Sequence, residues 1–291
     1  MKTALNIMGL VRKMPIEQVL DYVKQSGFDF VEIPLDKMMS SNYIYGPNFL
    51  GDDYIEQAKQ LREMIDKAGL KVVQVYAPTP DTRPQKNFDT EGILLVMRGI
   101  EIAAVLGASV ITVLPMTHIE YYGNTQQVLD MNVEYFTKLA PLAKKNGIKI
   151  ALKNMVKFSF RHRAIYYHAC GTADEFVNYL DTLNKIHGDL FVACVDVGNT
   201  NLATVDFGDM LNKLGNRVAI VHISDNDYRK NPRSIPGNGS INFEKVSAAL
   251  KENNYSGYYT MFCESTLPAQ LMPSVLQHMY DVACYYANLA Q

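Results

Sequence analysis

Eight times along the chain, a short apolar run is followed by a longer segment of helical period, and few folds accept that repeat. The strand-like runs are 3–8, 28–33, 71–76, 109–114, 148–152, 191–196, 217–223 and 258–263. The helical segments are 16–25, 52–68, 89–106, 127–146, 172–184, 205–214, 242–252 and 270–287. Such alternation predicts a parallel sheet covered by helices. The runs ITVLP and VAIVHI are almost continuously apolar, as strands buried on both faces require. Gly69, Gly107, Gly147 and Gly215 each fall where a predicted helix ends and a left-handed residue is needed. Thr172 and Glu175 have the spacing of a capping box. An open doubly wound sheet would carry a glycine-rich phosphate fingerprint after its first strand, but that strand runs into GLVRKMP. The expected fold class is therefore α/β, a single closed (β/α)8 barrel over residues 1–291. The Pro-bearing stretches 43–53 and 77–87 read as long βα loops.

Hydrophobic residues make up 48% of the chain and charged residues 20%, enough to bury a large core. A formal charge of −2 gives no global attraction to nucleic acid. No run reaches the ~18 apolar residues of a membrane span. The four cysteines, Cys170, Cys194, Cys263 and Cys284, show no CxxC spacing and read as free thiols in a reducing, cytoplasmic compartment.

Chemistry in such a barrel sits at the C-terminal ends of its strands, where side chains alternate inward and outward. The inward sets are Ala151 and Lys153 on the fifth strand, and Val192, Cys194 and Asp196 on the sixth. On the seventh they are Val218, Ile220 and His222, and on the eighth Thr260, Phe262 and Glu264. Lys153, Asp196, His222 and Glu264 are thus expected to line one side of the mouth. Asp196, His222 and Glu264 make a donor set suited to Mn, Mg, Co or Zn. Ordinary strand-end polar groups bonded to one another are the other reading of the same residues.

The segments GFDFVEI, AGLKVVQVYAP, IEIAAVLGASVITVLP, LAKKNGIKIALKN, VDVGN, VHISD, PGNGSINF and GYYTMFCES, in that order, resemble the successive signatures of the xylose isomerase-like TIM-barrel superfamily. The resemblance covers nearly the whole chain. It implies isomerisation or epimerisation of a small sugar through an enediolate, or lyase and dehydratase chemistry that begins with the same proton abstraction. It also implies one divalent metal held by Glu, Asp, His and Glu from strands five to eight. Asp196, His222 and Glu264 match three of these ligands. The first Glu falls in Leu152-Lys153-Asn154, so Lys153 stands where the family carries a ligand and catalytic carboxylate. Asn199 stands where many relatives have a substrate-touching His.

An ammonium has donors only and cannot ligate a cation. Lys153 is therefore expected to pair with the carboxylates, as an electrophile or charge stabiliser, with Glu264 as base. A Schiff-base role for Lys153 needs a depressed pKa, which nearby carboxylates oppose. The loops after strands five and seven carry Lys157, Arg161, His162 and Arg163, then Arg229, Lys230 and Arg233. Their charge predicts an anionic sugar, acid or phosphate, with Arg161, Arg163, Arg229 and His118 as contacts. Glu32 is expected to orient a site residue and Asp225 to fix loop backbone. Tyr121 and Tyr122 are candidates to stack on a sugar. A metal-free, non-catalytic carbohydrate-binding or sensor protein is the alternative to an enzyme. Nucleic acid and membrane partners are not expected; a homo-oligomer is compatible.

Overall fold

The computed structural model describes residues 1–79, 88–159, 163–228 and 233–291, and side chains from residue 92 within the helix that begins at Phe88. Eight strands close into one parallel barrel: β1 (Lys2–Asn6), β2 (Phe30–Pro34), β3 (Lys71–Tyr76), β4 (Val110–Val113), β5 (Lys149–Lys153), β8 (Phe191–Asp196), β9 (Val218–Ile223) and β10 (Tyr258–Met261). They neighbour one another in sequence order around the ring, and β10 closes on β1. The intervening pair β6 (Val156–Ser159) and β7 (Ala164–Tyr167) is an antiparallel hairpin rising from the end of β5. The sequence pattern predicts only a loop here, because the VKFS and AIYY runs are too short to carry a clear alternation.

The helices are α1 (Ile16–Gln25), α2 (Leu35–Met38), α3 (Tyr54–Lys67), α4 (Phe88–Val105), α5 (Thr125–Asn146), α6 (Ala173–His187), α7 (Val197–Leu202), α8 (Phe207–Leu214), α9 (Phe243–Glu252) and α10 (Met272–Leu289). None is long and apolar enough, among the described residues, to cross a membrane. Gly147 has φ +67° directly after α5, where its N–H returns to Lys144 O, so a residue with a Cβ is strained there. Thr172 Oγ1 accepts from Glu175 N–H at 3.4 Å, starting α6 as its spacing implied.

Two apolar layers result. The larger joins the outer strand faces to the helices through residues such as Val31, Leu152, Val195, Phe136 and Phe176. The inner one fills the barrel with Val110, Ala151, Val192, Cys194 and Ile220. The inward sets of the fifth and sixth strands are as read from alternation. Val218 is not; it packs in the outer layer. The reason is a one-residue register shift between β8 and β9, so that Ala193 faces Val218 but Cys194 faces Ile220. The same shift puts His222 beside Asp196. A second shift, between β2 and β3, sets Glu32 opposite Gln74.

Candidate active site

Each of β5, β8 and β9 ends on, or one residue after, a buried polar side chain, and these converge at the C-terminal mouth. The Lys153 ammonium lies 2.7 Å from Asp196 Oδ2 and 3.0 Å from His222 Nδ1. Its third direction faces rings, with Phe262 at 4.1 Å and Tyr76 at 5.3 Å from Nζ to the centroids. Because an ammonium only donates, His222 Nδ1 accepts, and the imidazole proton sits on Nε2. That N–H donates to the Glu32 carboxylate, 3.0 Å away at Oε2. Asn6 Nδ2 donates to the same oxygen at 2.6 Å, and the Gln74 amide lies 3.3 Å from His222 Nε2.

The other Asp196 oxygen, Oδ1, accepts from Asn199 N–H at 2.9 Å and so caps α7. Asn154 locks the strand end by accepting from Asp196 N–H at 2.7 Å. Asn199 Nδ2 donates to Asn154 O at 2.8 Å. Asn199, expected to touch substrate, therefore braces the loop.

The cluster is sealed. Lys153 and Asp196 expose 3% and 2% of their surface, and His222 and Glu32 none. Phe262 stacks on the His222 ring at 4.4 Å and 2°, and Tyr76, Met8 and Leu114 complete the roof. Burial is the largest single effect and pulls the Lys153 pKa down, but Asp196, with Tyr76 and Cys194 behind it, together outweigh it and the net direction is up. Burial pushes Asp196 up, yet Lys153 chiefly holds it below the usual carboxylate range. Burial pushes His222 down, with Lys153 adding to that, so the ring is neutral. Glu32 is raised by burial but lowered further by His222, Asn6 and Lys153, and it stays ionised.

Glu264 does not join this cluster. Its Oε1 takes a hydrogen bond from Arg233 Nη1 at 2.5 Å, and its side chain is 46% exposed. β10 stops at Met261, and Glu264 N–H turns to Arg233 O, so strand alternation no longer governs the side chain. The Arg233 guanidinium also covers the outer face of Phe262 at 4.5 Å.

Of the expected rim contacts, Arg161 and Arg229 lie outside the described residues, as do His162 and Lys230. Arg163 is exposed in the β6–β7 turn at φ +50°, and His118 is exposed in the loop after β4. Lys157 Nζ donates to Thr117 O at 2.8 Å. Tyr121 is buried and packs edge-on to Tyr167, whereas Tyr122 is half exposed beside Tyr166. Asp225 fixes backbone as expected: its carboxylate accepts from Asn226, Gly237, Gly239 and Ile241 N–H groups at 2.8–3.2 Å. Sequence reasoning missed Asn6, Gln74, Tyr76 and Asn154. Asn6 is visible only once the β1–β2 register is known, and Gln74 only once the β2–β3 register is.

His168 adds a pH-sensitive brace behind the rim. Its Nε2 donates to Ile119 O at 3.0 Å and its Nδ1 accepts from Ala169 N–H at 2.8 Å. A second proton would meet an N–H. Burial is the main cause that drives its pKa down to about 4. The unfolded chain would take up this proton near pH 6.5, so the contribution to stability is present above 6.5 and lost as pH falls toward 4. At 1.36 kcal/mol per unit that is about 3 kcal/mol. Imidazole NMR titration should find His168 well below the solvent value; a pKa at or above 6.5 would remove this contribution.

A family model described as "Xylose isomerase-like TIM barrel" matches residues 20–281. The chain belongs to the xylose isomerase-like TIM-barrel family. An inosose dehydratase of Clostridium perfringens is 24% identical over 74% of this chain and 76% of its own length. A solved D-tagatose 3-epimerase-like protein superposes with a TM-score of 0.71 at 23% identity, covering 98% of this chain and 99% of its own. A structure of the IOLI protein "with a binding zinc atom" gives 0.73 at 17% identity, covering 100% of this chain and 98% of its own.

Membership in this family implies a divalent ion, and the donors here do not fit one. Both Asp196 oxygens are taken, by Lys153 and the Asn199 N–H. Both His222 nitrogens are taken, by Lys153 and Glu32. Glu264 is turned to Arg233. Among the described residues, no three His, Cys, Asp or Glu side chains are grouped to hold a metal.

Proposed function

We propose that this chain is a sugar isomerase/epimerase-like enzyme in which the Lys153 ammonium stands in place of the divalent ion. The observation that carries the reading is the pairing of Lys153 with Asp196 and His222 at the closed end of the mouth. Lys153, paired with Asp196 beneath Phe262, fills the ion's place in the barrel and does not touch the sugar. Glu264, half exposed at the rim, is the base. It takes the proton from the carbon beside the sugar carbonyl, and the electron pair moves onto the carbonyl oxygen as an enediolate. Arg233 is placed to receive that oxygen's charge. Return of the proton from Glu264 to the neighbouring carbon on the same face gives the isomer. A proton delivered from water to the original carbon on the opposite face gives the epimer, and Glu264 then releases its own proton to water. Loss of a β-hydroxyl instead gives the dehydratase outcome.

The seal itself favours a second reading, a sugar-binding protein without turnover, since Phe262 and Tyr76 separate the buried charges from any ligand. Incubating free and phosphorylated ketoses and aldoses with the protein in D2O and EDTA separates the two. Deuterium should enter the carbon beside the carbonyl, and Glu264→Gln should slow this by 10²-fold or more. Sugar binding without exchange would favour the second reading. Exchange abolished by EDTA would end the metal-free one.

A further inference from the structure

The space directly above Lys153 is filled. The Phe262 ring lies 4.1 Å from Nζ, and the Arg233 guanidinium covers the outer face of that ring at 4.5 Å. Glu264 has an opening of its own. Its Oε1 is bonded to Arg233, but among the described residues its Oε2 takes no hydrogen bond, and the side chain is 46% exposed. It lines a cleft of about 480 Å³ between the loop after β9, the loop after β10 and the first two turns of α10. Because α10 belongs to the outer layer, this cleft lies to the side of the barrel axis. Its walls are fixed. Ser234 is tied to Asp225 by two backbone hydrogen bonds of 2.8 and 3.0 Å, and its carbonyl also accepts from the Cys263 thiol at 3.3 Å. Lys13 Nζ donates to Ser265 O and Leu267 O, which pins the loop after β10. The helix packs inward through Met272, Leu276 and Met279.

The lining suits hydroxyl groups and not an anion. The side chains of Asn238, Thr266, Ser274 and His278 are exposed and, among the described residues, make no hydrogen bond to the protein. Together they offer the donors and acceptors that neighbouring hydroxyls need. Ile235, Leu267 and Val275 add an apolar strip for the C–H face of a sugar ring. Among the described residues no Lys or Arg lines the cleft, while Glu264 brings a carboxylate to it. The neighbouring Arg233 charge is already engaged by Glu264. A phosphate or carboxylate placed here would meet a like charge with no free countercharge.

We propose that the sugar is held in this side cleft against α10 and not over the barrel axis, and that it is a small uncharged sugar or polyol. Asn238, Thr266, Ser274 and His278 take its hydroxyls. Glu264, with Oε2 unengaged, has a lone pair for the C–H proton of a sugar seated there. The volume falls within the ~300–1,000 Å³ of small-molecule sites. An uncharged ligand replaces the anionic one expected from the basic loops, none of whose described cations lines the cleft. This rests on the sugar reading with Glu264 as base, and adds where the sugar sits and that it carries no charge.

The test compares the wild type with Ser274→Trp and His278→Trp, each of which puts a large ring into the cleft from an exposed position on α10. D-Fructose, D-tagatose, myo-inositol, D-fructose 6-phosphate and D-gluconate are titrated by calorimetry. For sugars that bind too weakly, the KM for deuterium exchange in D2O takes the place of Kd. At least one uncharged member should bind severalfold more tightly than both anions. Each Trp variant should weaken it tenfold or more, with Tm unchanged and Glu264 intact. If the wild type binds a sugar and neither Trp variant alters its affinity, the sugar is held elsewhere, although the sugar reading stands. If D-fructose 6-phosphate or D-gluconate binds more tightly than every uncharged member, the charge half of the proposal fails. If no sugar binds and none exchanges deuterium, the functional reading falls and this one with it.

Discussion

Lys153→Met should lower the stability of the barrel by about 3–5 kcal/mol at neutral pH, because it strands a buried carboxylate whose countercharge is gone. Asp196 is 2% exposed, and its Oδ2 loses its partner at 2.7 Å. The sign of the pH dependence follows. In the wild type the Asp196 pKa is held low, so its stabilising effect is present above the unfolded value near 4 and lost as pH falls through the folded one. In the variant, burial without Lys153 raises the Asp196 pKa, and the folded state binds a proton the unfolded state does not. The stability gap between the two proteins therefore narrows on acidification. Denaturant unfolding between pH 5 and 8 measures it. Adding Asp196→Asn to Lys153→Met should recover much of the loss, since the pair is then removed together and a side-chain oxygen still caps α7. A single-variant cost under about 1 kcal/mol would mean that Asp196 has another way to discharge itself.

Lys153→Glu should convert the cluster from one held by its own ammonium to a cation-dependent one. Without metal, a third buried carboxylate joins Asp196 and Glu32, and the protein should be less stable than the wild type. With Mn²⁺ the new Glu, Asp196 and the freed His222 Nδ1 offer two carboxylates and an imidazole, a set such ions accept. At a free Mn²⁺ concentration a hundred times its Kd, stabilisation should reach about 2.7 kcal/mol, read as a metal-dependent rise in Tm. Calorimetry should record Mn²⁺ binding to Lys153→Glu and at least tenfold weaker binding to the wild type. Equal affinity would show that the ammonium does not compete for the site.

The pattern of eight apolar runs placed the barrel, and the inward residues of β5 and β8, because period-2 alternation holds wherever a strand is regular. It placed His222 correctly but Val218 on the wrong face, since a register shift beside Ala193 is invisible in the sequence. It carried Glu264 too far inward for a related reason. Alternation was extended three residues past Met261, where the backbone has left the sheet to bond Arg233. Lys153 was legible as a charge among carboxylates. What no spacing could reveal was the roof, because Tyr76 and Phe262 read as ordinary apolar strand positions until their rings are seen against an ammonium.

The four backbone N–H groups gathered on Asp225 have a consequence for how this barrel can change. One carboxylate, bonded to Asn226 at one end of the loop and to Gly237, Gly239 and Ile241 at the other, pins both feet of the segment to the top of β9. The backbone on either side is therefore held to the strand by Asp225 itself, and Ser234 adds its own pair of bonds to Asp225, so the strand beneath keeps its geometry. Variation is quarantined above the clamp. A lineage, or a directed-evolution library, can search new rim sequences above Asp225 while Arg233 and the scaffold below are inherited intact.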